Sequence, residues 1–141
     1  MKTIDRFNGE HAFLSNFYPS PVRLSGEHYP TVEHAFQAAK LHDRKLRKQI
    51  RFASTPGKAK RLGRQVPLRY GWEGMKLSVM EELLRQKFAP SSDLWRKLQA
   101  TSPSKLIEGN TWGDQFWGVC QSQGQNQLGR LLMKIRDEEI A

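Results

Sequence analysis

The segment Tyr29–Lys40, YPTVEHAFQAAK, constrains this chain more than any other stretch. Its apolar residues recur at helical spacing behind Thr31, a residue type that caps helix N-termini. On an α-helix, Val32, Ala35, Phe36 and Ala39 fall within about 100° of one another, a stripe wide enough to face a core. Glu33, Gln37 and Lys40 fall within roughly 60° of one another on a different face. A carboxylate, an amide and an amine therefore share one short ridge beside an aromatic ring. Such a group can hold a polar substrate and move a proton.

With 141 residues, 38% hydrophobic content and 10% aromatics, the composition is that of a folded globule. A single domain spanning 1–141 is expected at this length. The one cysteine, Cys120, excludes an intrachain disulfide and any zinc site built on cysteine pairs, and it fits a reducing compartment. No apolar run approaches the roughly 18 residues of a membrane span. The segment MKTIDRFNGEH lacks the apolar core of a signal peptide. A cytoplasmic protein without membrane contact is expected. Lysines and arginines number 23 against 14 acidic residues, a net charge of +9. The excess gathers at His42–Arg51, at Lys58–Arg64 and around Arg85–Lys87. Each cluster alone reads as a solvated helix face. Together they favour a polyanionic or phosphorylated ligand, with nucleic-acid contact as the expected form.

Residues 2–30 are poor in helix signals and read as loops, with short strands around Ile4–Phe7 and Val22–Leu24. Helices follow at 32–41, 43–53 and 56–63, the last with Thr55 as cap and Pro56 at its first position. A longer helix near 73–88 places Leu77, Met80, Leu84 and Phe88 on one side. Another begins after Ser91 or Ser92 and carries Leu94, Trp95 and Leu98. The stretch 104–119 reads as irregular, with strand pieces at Lys105–Ile107 and Phe116–Val119. A closing helix near 126–138 buries Leu128, Leu131, Leu132 and Ile135. The expected fold class is α+β: one compact, mostly helical domain with a small β-sheet.

Further candidate groups flank the ridge in sequence. In Phe13–Tyr18, FLSNFY, the hydroxyl of Ser15 and the amide of Asn16 sit between Phe13 and the pair Phe17–Tyr18. Packed aromatics of this kind serve as core, or as a platform for a planar heterocycle read by edge hydrogen bonds. Arg6 and Phe7, just upstream, could add a phosphate or cation–π contact. In Asn110–Gly118, NTWGDQFWG, Trp112 and Trp117 flank Asp114. Gly113 and Gly118 would let a ligand approach the backbone. Asp114 reads as a turn residue or as a second carboxylate opposite Glu33. The run GQNQLG at 124–129 fails as a phosphate loop, because Arg130 and Leu131 stand where Lys and Ser/Thr are needed. Asn126 reads as a helix cap, with an anion or ribose hydroxyl at that terminus as the weaker reading. His34 reads as a hydrogen-bonded, partly buried side chain. The histidines have no metal-ligand spacing, so neither a metal nor any other cofactor is expected.

These blocks, in this order, resemble the NADAR (NAD- and ADP-ribose-linked) family, also called YbiA-like. The matching pieces are FLSNFYPSPV at 13–22, YPTVEHAFQAAK at 29–40, DQFWG at 114–118 and GQNQLGRLLMKIR at 124–136. Arg6-Phe7 and the piece Ala59-Lys60 with Gly63-Arg64 also fit. The resemblance implies N-glycoside hydrolysis. In some members it implies cleavage of phosphorylated riboflavin-pathway intermediates. In others it implies removal of ADP-ribose from the amino group of guanine in DNA, paired with an ADP-ribosyltransferase toxin. By position, Glu33 matches the family's key acidic residue, and Lys40, Asp114 and Trp117 match further active-site positions.

Breaking a C–N glycosidic bond builds positive charge on the sugar, which a nearby carboxylate stabilises while activating water. Glu33 is the candidate for that role. Lys40 or Asp114 would protonate the leaving nitrogen, and Trp117 would wall the pocket. Lys40 is alternatively a nucleophile that forms a Schiff base with the sugar's C1. Substrate contacts are expected from Arg6, Phe7, Ser15, Asn16, Phe17, Tyr18, Gln37, Lys60, Trp112, Trp117, Gly118 and Asn126. The leading expectation is a hydrolase that removes ADP-ribose from a nucleobase, guanine in DNA for preference. Cleavage of phosphorylated ribosylamino metabolites is the same-class alternative. A non-catalytic ADP-ribose or NAD reader and a plain nucleic-acid binder are the alternatives from other classes.

Overall fold

The computed structural model describes residues 2–138, so residues 1 and 139–141 of the expected domain lie outside it. The fold is α+β and mostly helical. Its elements run β1 (Thr3–Ile4), a 3-10 helix (Gly9–Leu14), β2 (Val22–Leu24), β3 (Glu27–Tyr29), α1 (Val32–Ala39), α2 (Arg44–Arg51), α3 (Pro56–Gly63), α4 (Trp72–Lys87), α5 (Asp93–Gln99), β4 (Lys105–Leu106) and α6 (Gln127–Asp137). The backbone groups into two compact units. One is Asn16–Lys87, and the other joins the residues up to Ser15 to those from Phe88 onward.

In the Asn16–Lys87 unit, β2 and β3 form an antiparallel hairpin with Val22 opposite Tyr29 and Leu24 opposite Glu27. Ser25 and Gly26 turn it with positive φ angles of 52° and 82°, a conformation that Gly adopts without steric cost. Three side chains cap helices of this unit, Thr31 and Thr55 as expected and Asp43, which stands before the helix expected to begin with it. The Thr31 hydroxyl accepts from the His34 amide, the Asp43 carboxylate accepts from the Lys45 and Leu46 amides, and the Thr55 hydroxyl accepts from the Lys58 amide. Pro56 sits in the first turn of α3. Helix α1 packs against α2, α3, α4 and the hairpin. All eight of its residues are buried.

In the other unit, β1 and β4 pair in parallel, Thr3 with Lys105 and Ile4 with Leu106. Leu98 of α5, Leu106 of β4 and Leu128 and Leu132 of α6 are fully buried there. Ser92 caps α5 through the Trp95 amide. The Arg136 guanidinium, only 5% exposed, donates to the Thr101 hydroxyl and the Ser104 carbonyl.

Three expectations need correction. Phe116–Val119 is not a strand: Val119 makes only an isolated bridge to Gly109, and Asp114 spends its carboxylate on local turn hydrogen bonds. Residues 9–14 form a 3-10 helix, although the segment lacks a 3.6-residue apolar period. Leu77, expected on the buried side of α4, is 41% exposed, while Met80, Leu84 and the following Phe88 are buried.

Candidate active site

Helix α1 does not split into a core face and a solvated ridge. Its neighbours surround it, so the polar ridge is interior. Glu33 is 8% exposed and Gln37 is 4% exposed. A buried carboxylate needs partners, and Gln37 supplies one: its Nε2 donates to Glu33 Oε2 at 3.1 Å. That bond fixes the amide orientation, since a carboxylate only accepts. Gln37 Oε1 is left against Gly63 of α3, buried and without a donor. The Glu33 amide donates to the Asn16 carbonyl at 3.1 Å, which ties the FLSNFY segment to the start of α1. Asn16 Nδ2 reaches Met80 Sδ at 3.5 Å, and Asn16 Oδ1 is a second buried acceptor without a donor.

Lys40 lies one residue past the end of α1 and is half-buried. Its Nζ stands 6.0 Å from the centroid of the Phe36 ring, which packs at 5.2 Å against Trp72 of α4. The Arg69 amide donates to the Lys40 carbonyl at 2.7 Å, holding the returning loop on this end of the helix. Burial lowers the Lys40 pKa from its ordinary value. Glu33 opposes that effect, while Arg64, Lys60 and Lys76 add to it. The amine therefore loses its proton more readily than an exposed lysine, within a cationic surround suited to phosphates. His34, 2% exposed, is structural: its ring contacts the Thr31 hydroxyl at 2.8 Å and the Ala53 carbonyl at 3.0 Å. In the neutral ring the carbonyl requires the proton on Nε2.

The platform residues differ in exposure. Phe17 is 41% exposed, whereas Tyr18 is half-buried with Lys87 Nζ 5.6 Å from its ring centroid. Lys60 is half-buried on α3. Glu33, Gln37, Lys40, Lys60, Asn16, Phe17 and Tyr18 thus all belong to the Asn16–Lys87 unit.

Asp114, Trp112, Trp117, Gly118, Asn126, Arg6, Phe7 and Ser15 belong to the other unit. Asp114 Oδ1 accepts from the Phe116 and Trp117 amides at 3.1 and 2.9 Å. Asn110 brackets the same residue, accepting from its amide and donating to its carbonyl. The aspartate is therefore the hinge of a tight turn that presents Trp117, whose ring meets Phe116 edge-on at 4.9 Å. Trp112 is 56% exposed, and Arg6 is exposed. At Gly118 the close approach is made by the protein itself, because an added Cβ would strike Glu108 and Asn110.

Asn126 occupies the N-cap position of α6 in the left-handed region, φ 53°, with no side-chain cap bond. Its side chain instead accepts from the Glu108 amide at 3.0 Å and donates to the Leu106 carbonyl at 2.9 Å, joining α6 to the strand beside it. Among the described residues no group of three His, Cys, Asp or Glu side chains stands close enough to hold a metal ion.

Sequence reasoning missed Trp72, Arg64, Lys76 and Gly63 as parts of the ridge's surroundings. The Lys58–Arg64 charge cluster and the Gly63-Arg64 match hinted at two of them, and nothing in the sequence pointed to Trp72 or Lys76.

The mostly helical α+β chain thus carries a candidate acid–base site, a buried carboxylate–amide pair on α1 with a desolvated lysine just past the end of that helix. The chain belongs to the NADAR family: residues 5–139 match the NADAR domain. It is 42% identical over 132 residues to the N-glycosidase YbiA of Escherichia coli (strain K12), covering 92% of this chain and 82% of that protein. The NMR structure of E. coli YbiA matches the fold with a TM-score of 0.84 and 40% identity, over 96% of this chain and 83% of that one. A riboflavin biosynthesis protein of Vibrio vulnificus is 37% identical over 131 residues, 91% of this chain and 35% of that longer protein.

Proposed function

We propose that this enzyme, a hydrolase of N-glycosyl bonds by its family and its N-glycosidase relatives, cleaves the C–N bond between a phosphorylated ribosyl group and an amino group of a heterocycle. The observation that carries this reading is the α1 ridge. Glu33 is buried and oriented by Gln37, and Lys40 at the same helix end has a lowered pKa. A reader of ADP-ribose needs no such acid–base pair.

Two routes use these groups. In the first, the C1–N bond breaks, Glu33 stabilises the cationic sugar, and water adds to C1 as Glu33 takes its proton. The leaving nitrogen then receives a proton from the Lys40 ammonium. In the second, the C1–O4′ bond of the ribose ring breaks, O4′ takes a proton from solvent, and the nitrogen lone pair forms an iminium at C1. Neutral Lys40 adds to C1 and expels the heterocyclic amine, leaving a Schiff base on the lysine. Water then adds to that carbon, and the sugar departs as an aldehyde while Lys40 regains its amine. The lowered Lys40 pKa favours the second route, because it enlarges the neutral fraction that attacks. Asn16 Oδ1, a buried acceptor without a donor, would welcome a sugar hydroxyl or a base amino group if the segment opened to substrate.

The favoured carrier is guanine in DNA bearing ADP-ribose, with de-ADP-ribosylation against a transferase toxin as the biological setting. The +9 charge supports a nucleic-acid-borne substrate. A second reading, cleavage of phosphorylated ribosylamino intermediates of riboflavin synthesis, draws support from the name of the longer Vibrio relative.

The test incubates the protein with ADP-ribosylated guanine DNA and with a ribosylamino-pyrimidine phosphate, with and without borohydride. Free sugar from the DNA and a borohydride-trapped sugar adduct on wild type, absent in Lys40→Ala, are expected. Release from the pyrimidine alone moves the substrate to metabolism. An adduct that persists in Lys40→Ala rejects the lysine as nucleophile, and no product from either substrate rejects the enzymatic reading.

A further inference from the structure

A concave site lies in the Asn16–Lys87 unit, lined by residues the proposed chemistry does not use. The β2–β3 hairpin and α2 enclose a cleft of about 590 Å³. Its α2 wall carries Arg44, Arg47, Lys48 and Arg51. These positions are spaced i, i+3, i+4 and i+7, so they form one stripe on the helix. His42 adds an imidazole to the lining, in which Glu27 is the single carboxylate.

The four cations do different jobs. Arg51 pairs with Glu27 at 2.8 Å and donates to the His28 carbonyl at 2.7 Å, closing the hairpin onto α2. Arg47 donates to the Leu41 carbonyl at 2.7 Å and to the Ser25 hydroxyl at 3.2 Å, so it is fixed by neutral acceptors and keeps its charge. Arg44 and Lys48 are exposed and have no side-chain partner among the described residues. Three positive charges thus face the cleft without a countercharge, one of them held rigidly.

We propose that this cleft is a nucleic-acid backbone site, separate from the α1 ridge, that takes successive phosphodiesters of a DNA strand. The three unneutralised cations, Arg44, Arg47 and Lys48, span about 6 Å along the helix axis. A DNA strand presents one phosphate per about 3.4 Å of axis, so that span is matched to two or three successive phosphates. A single phosphate would leave most of that length unused. A lipid surface is disfavoured, because the apolar residues of α2 are Leu46 and Ile50 and Ile50 is 1% exposed. Leu46 is half-buried, and Phe52 at the helix end, 65% exposed, is a single ring with the Arg51 guanidinium 5.0 Å from its centroid, which makes no apolar stripe for a bilayer. The proposal concerns binding of unmodified DNA and stands whether or not the ridge performs the chemistry above.

The test measures binding of the full chain to a short unmodified DNA duplex by fluorescence anisotropy, between about 50 and 200 mM salt. Three proteins are compared: wild type, Arg44→Gln/Lys48→Gln, and the charge-matched control Lys105→Gln/Lys134→Gln. The cleft variant is expected to bind at least tenfold more weakly. Its slope of log K against log salt should shrink by about 0.9 for each cation that touches a phosphate. The control should track wild type, and all three should melt alike. Absence of binding by wild type, or an equal loss in the control, overturns the proposal. So does full displacement of the duplex by inorganic pyrophosphate at matched charge.

Discussion

Lys40 is the residue whose protonation the surroundings tune most directly for chemistry. Burial lowers its pKa first, and Arg64 is the strongest cationic contributor in the same direction. If the neutral amine attacks, kcat/KM climbs with pH along a limb that reports Lys40 and lies below the ordinary lysine range. Removing the Arg64 charge favours the ammonium, so Arg64→Gln should shift that limb to higher pH. A limb that stays in place would detach it from Lys40. Lys87 has no proposed catalytic role, yet burial pushes its pKa down from 10.5 to about 7. The folded chain therefore holds fewer protons than the unfolded chain between those values, and stability rises with pH across that window. Lys87→Met removes the desolvated ammonium and keeps an unbranched stem. It should exceed wild type by on the order of 3–5 kcal/mol below the folded pKa, with the gap closing above about pH 10. Urea melts at the two ends of the window check this.

At the scale of elements, α1 and α3 meet where Gly63 faces Gln37. A Cβ at position 63 would strike the Gln37 amide, so Gly63→Ala should swing that side chain and break its 3.1 Å bond to Glu33. Overpacking of this sort costs about 1–3 kcal/mol, but misplacing the carboxylate should cost on the order of 10²-fold in turnover. Melting curves and rates measured together separate the two effects. Helices were legible in the sequence because caps and periodicity are local. Thr31 and Thr55 with Pro56 announced two starts, the Ser91–Ser92 pair announced a third without choosing between its members, and 56–63 was legible to the residue. The hairpin partner β3 was not, because Glu27–Tyr29 shows no alternation long enough to read and is defined by pairing with Val22–Leu24. Asn126 was legible as a helix boundary but not in its work, since its hydrogen bonds go to residues 18 and 20 positions away.

For the whole molecule, the sequence revealed that Glu33, Gln37 and Lys40 share one ridge, because helical geometry alone puts them there. It did not reveal that the ridge is interior, since that follows from α2, α3, α4 and the hairpin closing around α1. The charge excess was legible as a preference for polyanions. Its division into a surround for Lys40 and a separate stripe on α2 needed the tertiary fold. The central claim is that α1 carries N-glycosidic cleavage through Glu33, and the most direct measurement is the rate of sugar release by wild type and Glu33→Gln from the same N-ribosyl substrate. The amide is close to isosteric with the carboxylate, so the variant should melt like wild type and turn over about 10²–10⁴-fold more slowly. A well-folded Glu33→Gln protein that releases sugar at the wild-type rate would contradict the account.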